Sequence, residues 1–387
     1  MNRVVVLGAG YGGATVVKRL RSSLDTEDEI VWVDKNDYHL VRHEVHRVIY
    51  DPSVDEEIAI PMDEIKKGRA NFVESEVEGF EFEEKKVVLE DDEIEYDYLV
   101  IALGQRTAFY GIPGMEENAH TLRSLGDGFS IRHDLEEIVE EAKEGAEKRV
   151  VIGGAGLSGI QTAGEIADVI DDAEIREGEV TVNIIEALDE VMPGPSIDDR
   201  LRSHIKRLLR SKGIQTKTGD PITEVTDDEV RLDEGDPIEY DMLIWAGGLT
   251  AREFDIDIET EDAERNAFKV DEHLESVDAD DVFVIGDAGA VEDTNGNRAP
   301  QTAWAAEDEA DICAENILSK IEGDELREFE LNDPGTLVSV GREAVAMVNG
   351  NVFGGVAARL LKKTVAARHI ASVRGAKRGV KSFFKEL

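Results

Sequence analysis

The chain has 387 residues, with Asp plus Glu at 86 against 43 for Lys plus Arg, a formal charge of −43. Such a field excludes nucleic acid as a partner, which needs a basic face. The single cysteine, Cys313, excludes an internal disulfide, a CxxC redox pair and a cysteine-built metal site.

Apolar residues make up 41%, so the chain is globular, and its length fits two to three domains. No run approaches the ~18 apolar residues of a membrane span. Met1-Asn2-Arg3 leads straight into a short strand, without a signal sequence. The expected place of synthesis and residence is the cytoplasm. Acid is spread along the chain, as in Asp55-Glu56-Glu57, Glu90-Asp91-Asp92-Glu93 and Glu136 to Glu147. Self-repulsion at this density destabilises a compact state, and molar salt, with a Debye length of about 3 Å, removes most of it. The composition resembles that of proteins from salt-in halophiles.

The first strand is Val4-Val5-Val6-Leu7, followed by Gly8-Ala9-Gly10-Tyr11-Gly12-Gly13, a GxGxxG pattern. A helix follows, with Val16, Val17, Leu20 and Leu24 on one face, then the strand Ile30-Val31-Trp32-Val33 ending at Asp34. The first glycine permits a tight turn, the second lets a pyrophosphate approach, and the third lets helix and strand pack. The helix N-terminus supplies N–H donors. Asp34 is placed to accept from a ribose diol.

Next comes Tyr96-Asp97-Tyr98-Leu99-Val100-Ile101-Ala102-Leu103-Gly104, a buried strand opening into a small-residue turn. The strand Arg149-Val150-Val151-Ile152 then leads into a second GxGxxG, Gly154-Ala155-Gly156-Leu157-Ser158-Gly159. Its helix carries Ile160, Ala163, Ile166 and Ile170, and the following strand, Val180 to Ile185, ends at Glu186. An acid there favours a free ribose 2′-hydroxyl, hence NADH over NADPH. Tyr240-Asp241-Met242-Leu243-Ile244-Trp245-Ala246-Gly247-Gly248 echoes the earlier strand and turn, and alternating hairpins precede both, over 86–94 and 229–238. The chain is thus an internal duplication with a period of about 145 residues. A third strand, Val282-Phe283-Val284-Ile285, runs into Gly286-Asp287-Ala288, before a helix expected to start near Pro300.

The tail reverses the charge. Residues 359–387 hold nine bases (Arg359, Lys362, Lys363, Arg368, Arg374, Lys377, Arg378, Lys381, Lys385) and one acid, Glu386. Val356, Leu360, Leu361 and Val365, then Ile370, Val373, Val380, Phe383, Phe384 and Leu387, recur at largely helical spacing. This pattern predicts a basic amphipathic helix pair lying on a membrane surface, or alternatively packed on the acidic body or on a second subunit.

Two GxGxxG units, two strand-to-small-residue turns and a late Gly-Asp resemble the two-dinucleotide flavoprotein reductases of the glutathione reductase type. The fold class implied is α/β, with two Rossmann-like domains, one for FAD and one for NADH, and the basic tail. Its boundaries would be 1–118 and 251–335 for the FAD domain, 119–250 for the NADH domain, and 336–387 for terminal strands and membrane-associating helices. Within that group the disulfide, sulfide:quinone and peroxide- or coenzyme A-type branches need cysteines that this chain lacks.

The branch resembled most is the type II NADH dehydrogenase. The matching stretches are Asp34-Lys35-Asn36-Asp37-Tyr38-His39-Leu40, Tyr110-Gly111-Ile112-Pro113-Gly114, and Gly335 to Val345, with Gly341-Arg342. The resemblance assigns Gly8, Gly10, Tyr11, Gly12, Gly13, Asp34, Lys35, His39, Ala102, Gly104, Asp287 and Ala303 to FAD. It assigns Gly154, Gly156, Gly159, Glu186 and Gly247 to NADH.

Two departures stand out. Gln161 replaces the family's Glu at the position nearest nicotinamide and flavin, and cannot carry a proton. Trp304 and Asp308 replace the two glutamines of the quinone segment. The implied activity is NADH:quinone oxidoreduction without proton pumping, with menaquinone the expected acceptor. The implied location is the cytoplasmic face of the membrane, with a homodimer compatible and no metal. His39, His43 and His46 are candidate proton carriers, though a structural role is the commoner fate of such histidines. The competing reading is a soluble NADH-dependent flavoprotein reductase of a protein or small-molecule acceptor.

The charge makes the first prediction. The melting temperature should rise steeply between about 0.1 M and about 3 M KCl, over which the Debye length falls from ~10 Å to under ~3 Å; a flat response would remove the halophile reading.

Overall fold

In the computed structural model, which describes residues 1–176, 178–194, 197–257, 267–332 and 334–374, β1 (Arg3–Leu7) passes through the first glycine turn into α1 (Tyr11–Ser23). Strands β2 (Glu29–Asp34), β3 (Asn71–Glu74) and β4 (Tyr98–Ile101) follow. The chain then leaves the first unit. It forms α2 (Leu125–Lys143), β5 (Lys148–Gly153), α3 (Leu157–Asp172), β6 (Val180–Glu186), α4 (Asp199–Ser211), β7 (Gln215–Thr218) and β8 (Met242–Trp245). It returns with β9 (Val282–Val284) and α5 (Ala303–Glu322). The end is β10 (Thr336–Val340), β11 (Glu343–Val348), β12 (Asn351–Gly354) and α6 (Val356–Arg374).

The first sheet has the order β9-β4-β1-β2-β3 and the second β7-β6-β5-β8, and every pairing in both is parallel. Parallel strands covered on both faces read as continuous apolar runs, and Val4, Val5, Val6 and Leu7 are all fully buried. Alternation sorts them by layer. Val4 and Val6 meet α1 and α5 through Val16, Leu20, Ala310 and Cys313. Val5 and Leu7 face Phe80 and Val87 of an antiparallel meander, Val77–Glu81, Lys86–Leu89 and Glu93–Glu95. The second unit repeats the plan with the meander Ile222–Val225, Glu229–Leu232 and Ile238–Glu239 under Val151 and Leu243. The two connections between units run side by side as antiparallel strands, Gln105–Thr107 with Leu249–Ala251.

Helix α5 starts at Ala303 and not at Pro300. The Thr302 hydroxyl accepts from the Ala305 N–H, so the cap residue fixes the start and the proline lies in the approach.

The terminal sheet is antiparallel, with Val340 opposite Glu343 across the Gly341-Arg342 turn. Gly341 has φ +57°, and a Cβ there would lie 2.0 Å from Asp168 Oδ2. The Arg342 N–H donates to that oxygen at 2.6 Å, and Lys212 pairs with the other. This buried carboxylate fastens the terminal sheet to α3.

Helix α6 packs on the body. Ala358, Ala366, Ile370 and Val373 are buried, and the last two join the first unit's core. Arg374 pairs with Glu64 at 3.0 Å and Lys362 stands 3.7 Å from Glu44. The exposed large apolar residues of α6 are Val356, Leu360 and Val365. Of the six described residues of the predicted apolar series, Ile370 and Val373 are core, Leu361 is half-buried and the other three are exposed. The remainder of the second predicted stripe, Val380, Phe383, Phe384 and Leu387, and the bases from Lys377 on lie outside the described residues. Because α6 completes the core, Ile370→Ala should lower the unfolding free energy by about 2–4 kcal/mol, measured by denaturant titration in concentrated salt. Stability equal to the parent would show that α6 does not dock.

Candidate active site

The two glycine turns have one geometry. Gly8 and Gly154 have φ +98° and +106°, where a Cβ would run into Ala102 O at 2.3 Å and Ala246 O at 2.6 Å. A Cβ at Gly13 would sit 1.9 Å from Gly8 O, and one at Gly159 2.0 Å from Gly154 O. At Gly10 and Gly156 a Cβ would meet nothing within 4 Å. Backbone contact thus forces two glycines of each turn, and open space beside the helix N-terminus marks the third. Neither α1 nor α3 has an acid in its first turn or a side-chain cap. The free N–H groups and the positive end of the helix suit a pyrophosphate.

Each acid first holds its own turn. Asp34 Oδ2 accepts from the Ala9 N–H at 2.6 Å and Oδ1 from the Asn36 N–H at 2.8 Å. Glu186 Oε2 accepts from Ala155 N–H at 2.7 Å and Oε1 from Leu188 N–H at 2.9 Å. Asp34 Oδ1 also accepts from Asn36 Nδ2 at 3.1 Å, so the lone pairs left for a ribose hydroxyl are on Asp34 Oδ2 and on the two Glu186 oxygens.

The turn of the first unit opens on a cleft of about 1290 Å³ that also reaches the second unit. Gly8, Gly10, Tyr11, Gly12, Asp34, Lys35, Ala102, Gly104, Gln161, Asp287 and Ala303 line it. Gly13 does not, being pressed on Gly8. Gly154, Gly156, Gly159 and Glu186 lie outside the lining, and the second unit reaches the cleft through Leu157, Ser158, Gln161, Trp245, Ala246 and Gly248. Gly247 is covered by the Trp245 ring, 2.2 Å from where its Cβ would be.

Three expected positions do not line the cleft. His39 does not face the cleft. It is fully buried behind the turn, with Nδ1 2.6 Å from Ala9 O and Nε2 2.9 Å from His369 Nε2. Burial, with His369 beside it, pushes its pKa down to about 3, so it supports the turn as a neutral ring. Trp304 and Asp308 are half-buried on α5 and outside the cleft lining, where Ala303 and Ala306 stand instead. The helical period turns those two side chains away from the cleft.

Reasoning from sequence missed Arg42 and Arg123, which line the cleft beside Asp287. Burial, with Arg42 alongside, pushes the Arg123 guanidinium down to about 10. Burial pushes the Asp287 carboxyl up, against the pull of both arginines. It also missed Glu309, whose Oε2 accepts from the Gly286 N–H at 2.6 Å and which burial pushes up to about 8. These residues carry no motif, and only folding brings them to Asp287.

Behind Gln161 lies a buried polar cluster. Gln161 Nε2 donates to Ser339 Oγ at 3.0 Å and stands 3.4 Å from His46 Nε2. Lys362 of α6 donates to Ser339 Oγ at 2.5 Å and to His46 Nε2 at 3.1 Å. His43 Nδ1 is 2.5 Å from the Tyr11 hydroxyl, whose ionisation burial opposes. Cys313 is buried in α5 and burial pushes its thiol up, so it is no nucleophile. Among the described residues no His, Cys, Asp and Glu group is arranged to hold a metal.

Two dinucleotide cradles of identical construction beside one shared cleft define a pyridine-nucleotide oxidoreductase that works through a second bound dinucleotide. The chain belongs to the pyridine nucleotide-disulphide oxidoreductase family, matched over residues 2–310. It is similar to the type II NADH:quinone oxidoreductases of Staphylococcus saprophyticus, 27% identical over 389 residues, and Staphylococcus aureus, 28% over 395 residues. Each match covers 96% of both chains. In fold it resembles NDH2 of Plasmodium falciparum in complex with NADH, at TM-score 0.87 and 17% identity, covering 99% of this chain and 98% of that one. The sulfide:quinone oxidoreductase of Aquifex aeolicus matches at TM-score 0.85 and 18% identity, covering 97% and 92%.

The first cradle has the room and the groups that FAD would need: a turn open at Gly10, with Asp34 and Asp287 on the wall of the same cleft. Gly10 has φ −71°, so Gly10→Ala strains nothing and places a methyl in the open space. The variant should keep its unliganded stability and hold FAD at least about tenfold more weakly, a loss of ~1.4 kcal/mol, read by flavin release on ultrafiltration. Undiminished FAD binding would show that the cradle takes something else.

Proposed function

We propose that this chain is an FAD-dependent NADH:quinone oxidoreductase that passes two electrons from NADH to a membrane quinone without pumping protons. The observation that carries the reading is the pair of like-built turns beside one cleft that contains no thiol. The full-length similarity to type II NADH:quinone oxidoreductases supports the choice of acceptor.

Bound FAD would supply the two-electron chemistry. The protein's own part is to bind, orient and shield. Gly10, Tyr11, Gly12 and the start of α1 would take the FAD pyrophosphate, Asp34 the ribose, and Asp287 with Arg42 and Arg123 the chain toward the ring. Gly156 and the start of α3 would take the NADH pyrophosphate, with Glu186 on its ribose. Trp245 and Gln161 border the space between the two. Orientation of this kind lowers a barrier by several kcal/mol, up to about 7–11 in the best-aligned cases.

The reading places the enzyme peripherally on the cytoplasmic face of the membrane, in a salt-rich cytoplasm, with menaquinone as first acceptor to test and a homodimer as the assembly. No described helix is long and apolar enough to cross a membrane. Support for surface attachment is the exposed Val356, Leu360 and Val365 of α6. The docking of Ile370 and Val373 into the core favours a second reading, a soluble NADH-dependent reductase of a protein acceptor.

The deciding experiment is a steady-state assay of NADH with short-chain menaquinone, paired with vesicle sedimentation. Turnover and pelleting support the membrane enzyme, whereas turnover only with a protein acceptor supports the second reading. In the same assay NADH should exceed NADPH in kcat/KM by about tenfold or more, because Glu186 repels a 2′-phosphate. Glu186→Gln should narrow that ratio; equal use of both nucleotides by the parent would remove Glu186 from the site.

A further inference from the structure

Glu165 is a buried carboxyl that nucleotide binding does not use. It lies on α3 one turn beyond Gln161 and is 6% exposed, with Oε1 3.9 Å from His46 Nε2. His46 in turn lines the cleft. A small swing of the carboxyl brings it within hydrogen-bond distance. Around the same His46 nitrogen stand Lys362 Nζ at 3.1 Å, Ser339 Oγ at 3.4 Å and Gln161 Nε2 at 3.4 Å.

The charged groups facing Glu165 come from three elements. Glu44, His46 and Arg47 belong to the short helix Arg42–Ile49, and Lys362 to α6. Asp168 belongs to α3 itself and is paired with Lys212 and Arg342. Burial pushes Glu165 up to about 7, with Asp168 and Glu44 adding and Lys362 and Arg47 opposing. Burial opposes the charge on Glu44 too, but Lys362, His43 and Arg47 outweigh it and hold that carboxyl down at about 2. Burial and Lys362 keep His46 neutral. The cluster therefore holds one fixed ion pair, one neutral base and one carboxyl that changes charge near neutrality.

We propose that Glu165 holds the proton that His46 delivers to the cleft when a quinone is reduced there. The inference rests on the quinone-reductase reading. A quinone takes two electrons and two protons to become a hydroquinone. NADH supplies both electrons and one proton as a hydride equivalent. The second proton leaves the Glu165 O–H for His46 Nε2, the acceptor nitrogen of the neutral ring, and the proton the ring already carries on Nδ1 forms the quinone O–H; solvent then returns a proton to Glu165. Lys362 beside His46 makes the imidazolium costly, so the proton moves on and does not rest there. Gln161 cannot take part as an acid, and Glu165 supplies the missing proton from one turn behind it. Glu165 touches neither substrate and acts only through His46.

Two measurements test this on the holoenzyme. Infrared titration from about pH 5 to about pH 9 should show, beside the band of Glu309, a protonated carboxyl band that fades near neutrality, that Glu165→Gln lacks and that Glu309→Gln keeps. The same band persisting in the variant overturns the assignment. Second, the rate with a short-chain menaquinone is divided by the rate with ferricyanide, which takes electrons without protons. Glu165→Gln should lower this ratio about tenfold or more at neutral pH and flatten the pH profile with quinone. His46→Asn should do likewise, and the double variant no more than either single one. Equal losses with both acceptors, or the parent's ratio and profile, overturn the relay. Should Glu165→Gln fail to fold, His46→Asn with the parent's ratio still overturns it. A parent enzyme that reduces ferricyanide and no quinone overturns instead the reading on which the relay rests.

Discussion

The close backbone contact between Gly13 and Gly8, repeated between Gly159 and Gly154, is the constraint on which this structure depends. It lets each first strand turn directly into a helix whose free N–H groups point outward. The acid at the end of the neighbouring strand completes the arrangement, because Asp34 and Glu186 each bind the N–H of the alanine between the first two glycines. Order within each parallel sheet follows, since the turn can be held only when the first and second strands are neighbours. A charged hydrogen bond of this kind contributes roughly 1.5–3 kcal/mol, so the binding turn and the sheet stabilise each other.

A second constraint is the satisfaction of polar groups where the two units and the C-terminal helix meet. His39 needs a partner behind the first turn and finds His369 of α6, which bonds Glu307 in turn. Glu44 needs cations in a buried place and finds Arg47, bonded at 3.1 Å, with Lys362 of α6 3.7 Å from its other oxygen. Leaving either group unpaired would cost the desolvation of a buried polar atom. The C-terminal helix is thereby part of the catalytic domain's interior, and whatever surface it offers a membrane is the opposite side, with Val356, Leu360 and Val365.

The acid excess acts elsewhere. Some buried or half-buried carboxylates are matched by cations, as Asp168 is by Lys212 and Arg342, and Glu275 and Asp281 are by Lys320, while burial pushes Glu165 and Glu309 toward the neutral form. With twice as many acids as bases, the rest must remain unmatched at the surface, where salt governs their repulsion. Charge therefore tunes the stability of the whole and leaves the site's local pairings intact.

The sequence by itself determined the two strand-turn-helix units, their duplication and the acid that ends each second strand. These are local patterns, set by contacts between residues a few tens apart, and GxGxxG between a strand and a helix has few other uses. Asp287 became a candidate only through the family resemblance, because an acid at the end of a buried strand reads by itself as a cap or turn residue. Only the tertiary structure decided the rest. The facing of Trp304 and Asp308 away from the cleft depends on how α5 rotates against α1, and that rotation is fixed by Ala310, Cys313 and Ile317 in a shared core. Arg42, Arg123 and Glu309 reach Asp287 from three separate segments, and His46, Glu165, Ser339 and Lys362 converge from four. No spacing encodes such convergence, because burial and electrostatics act through space and depend on distances that exist only once the chain has folded.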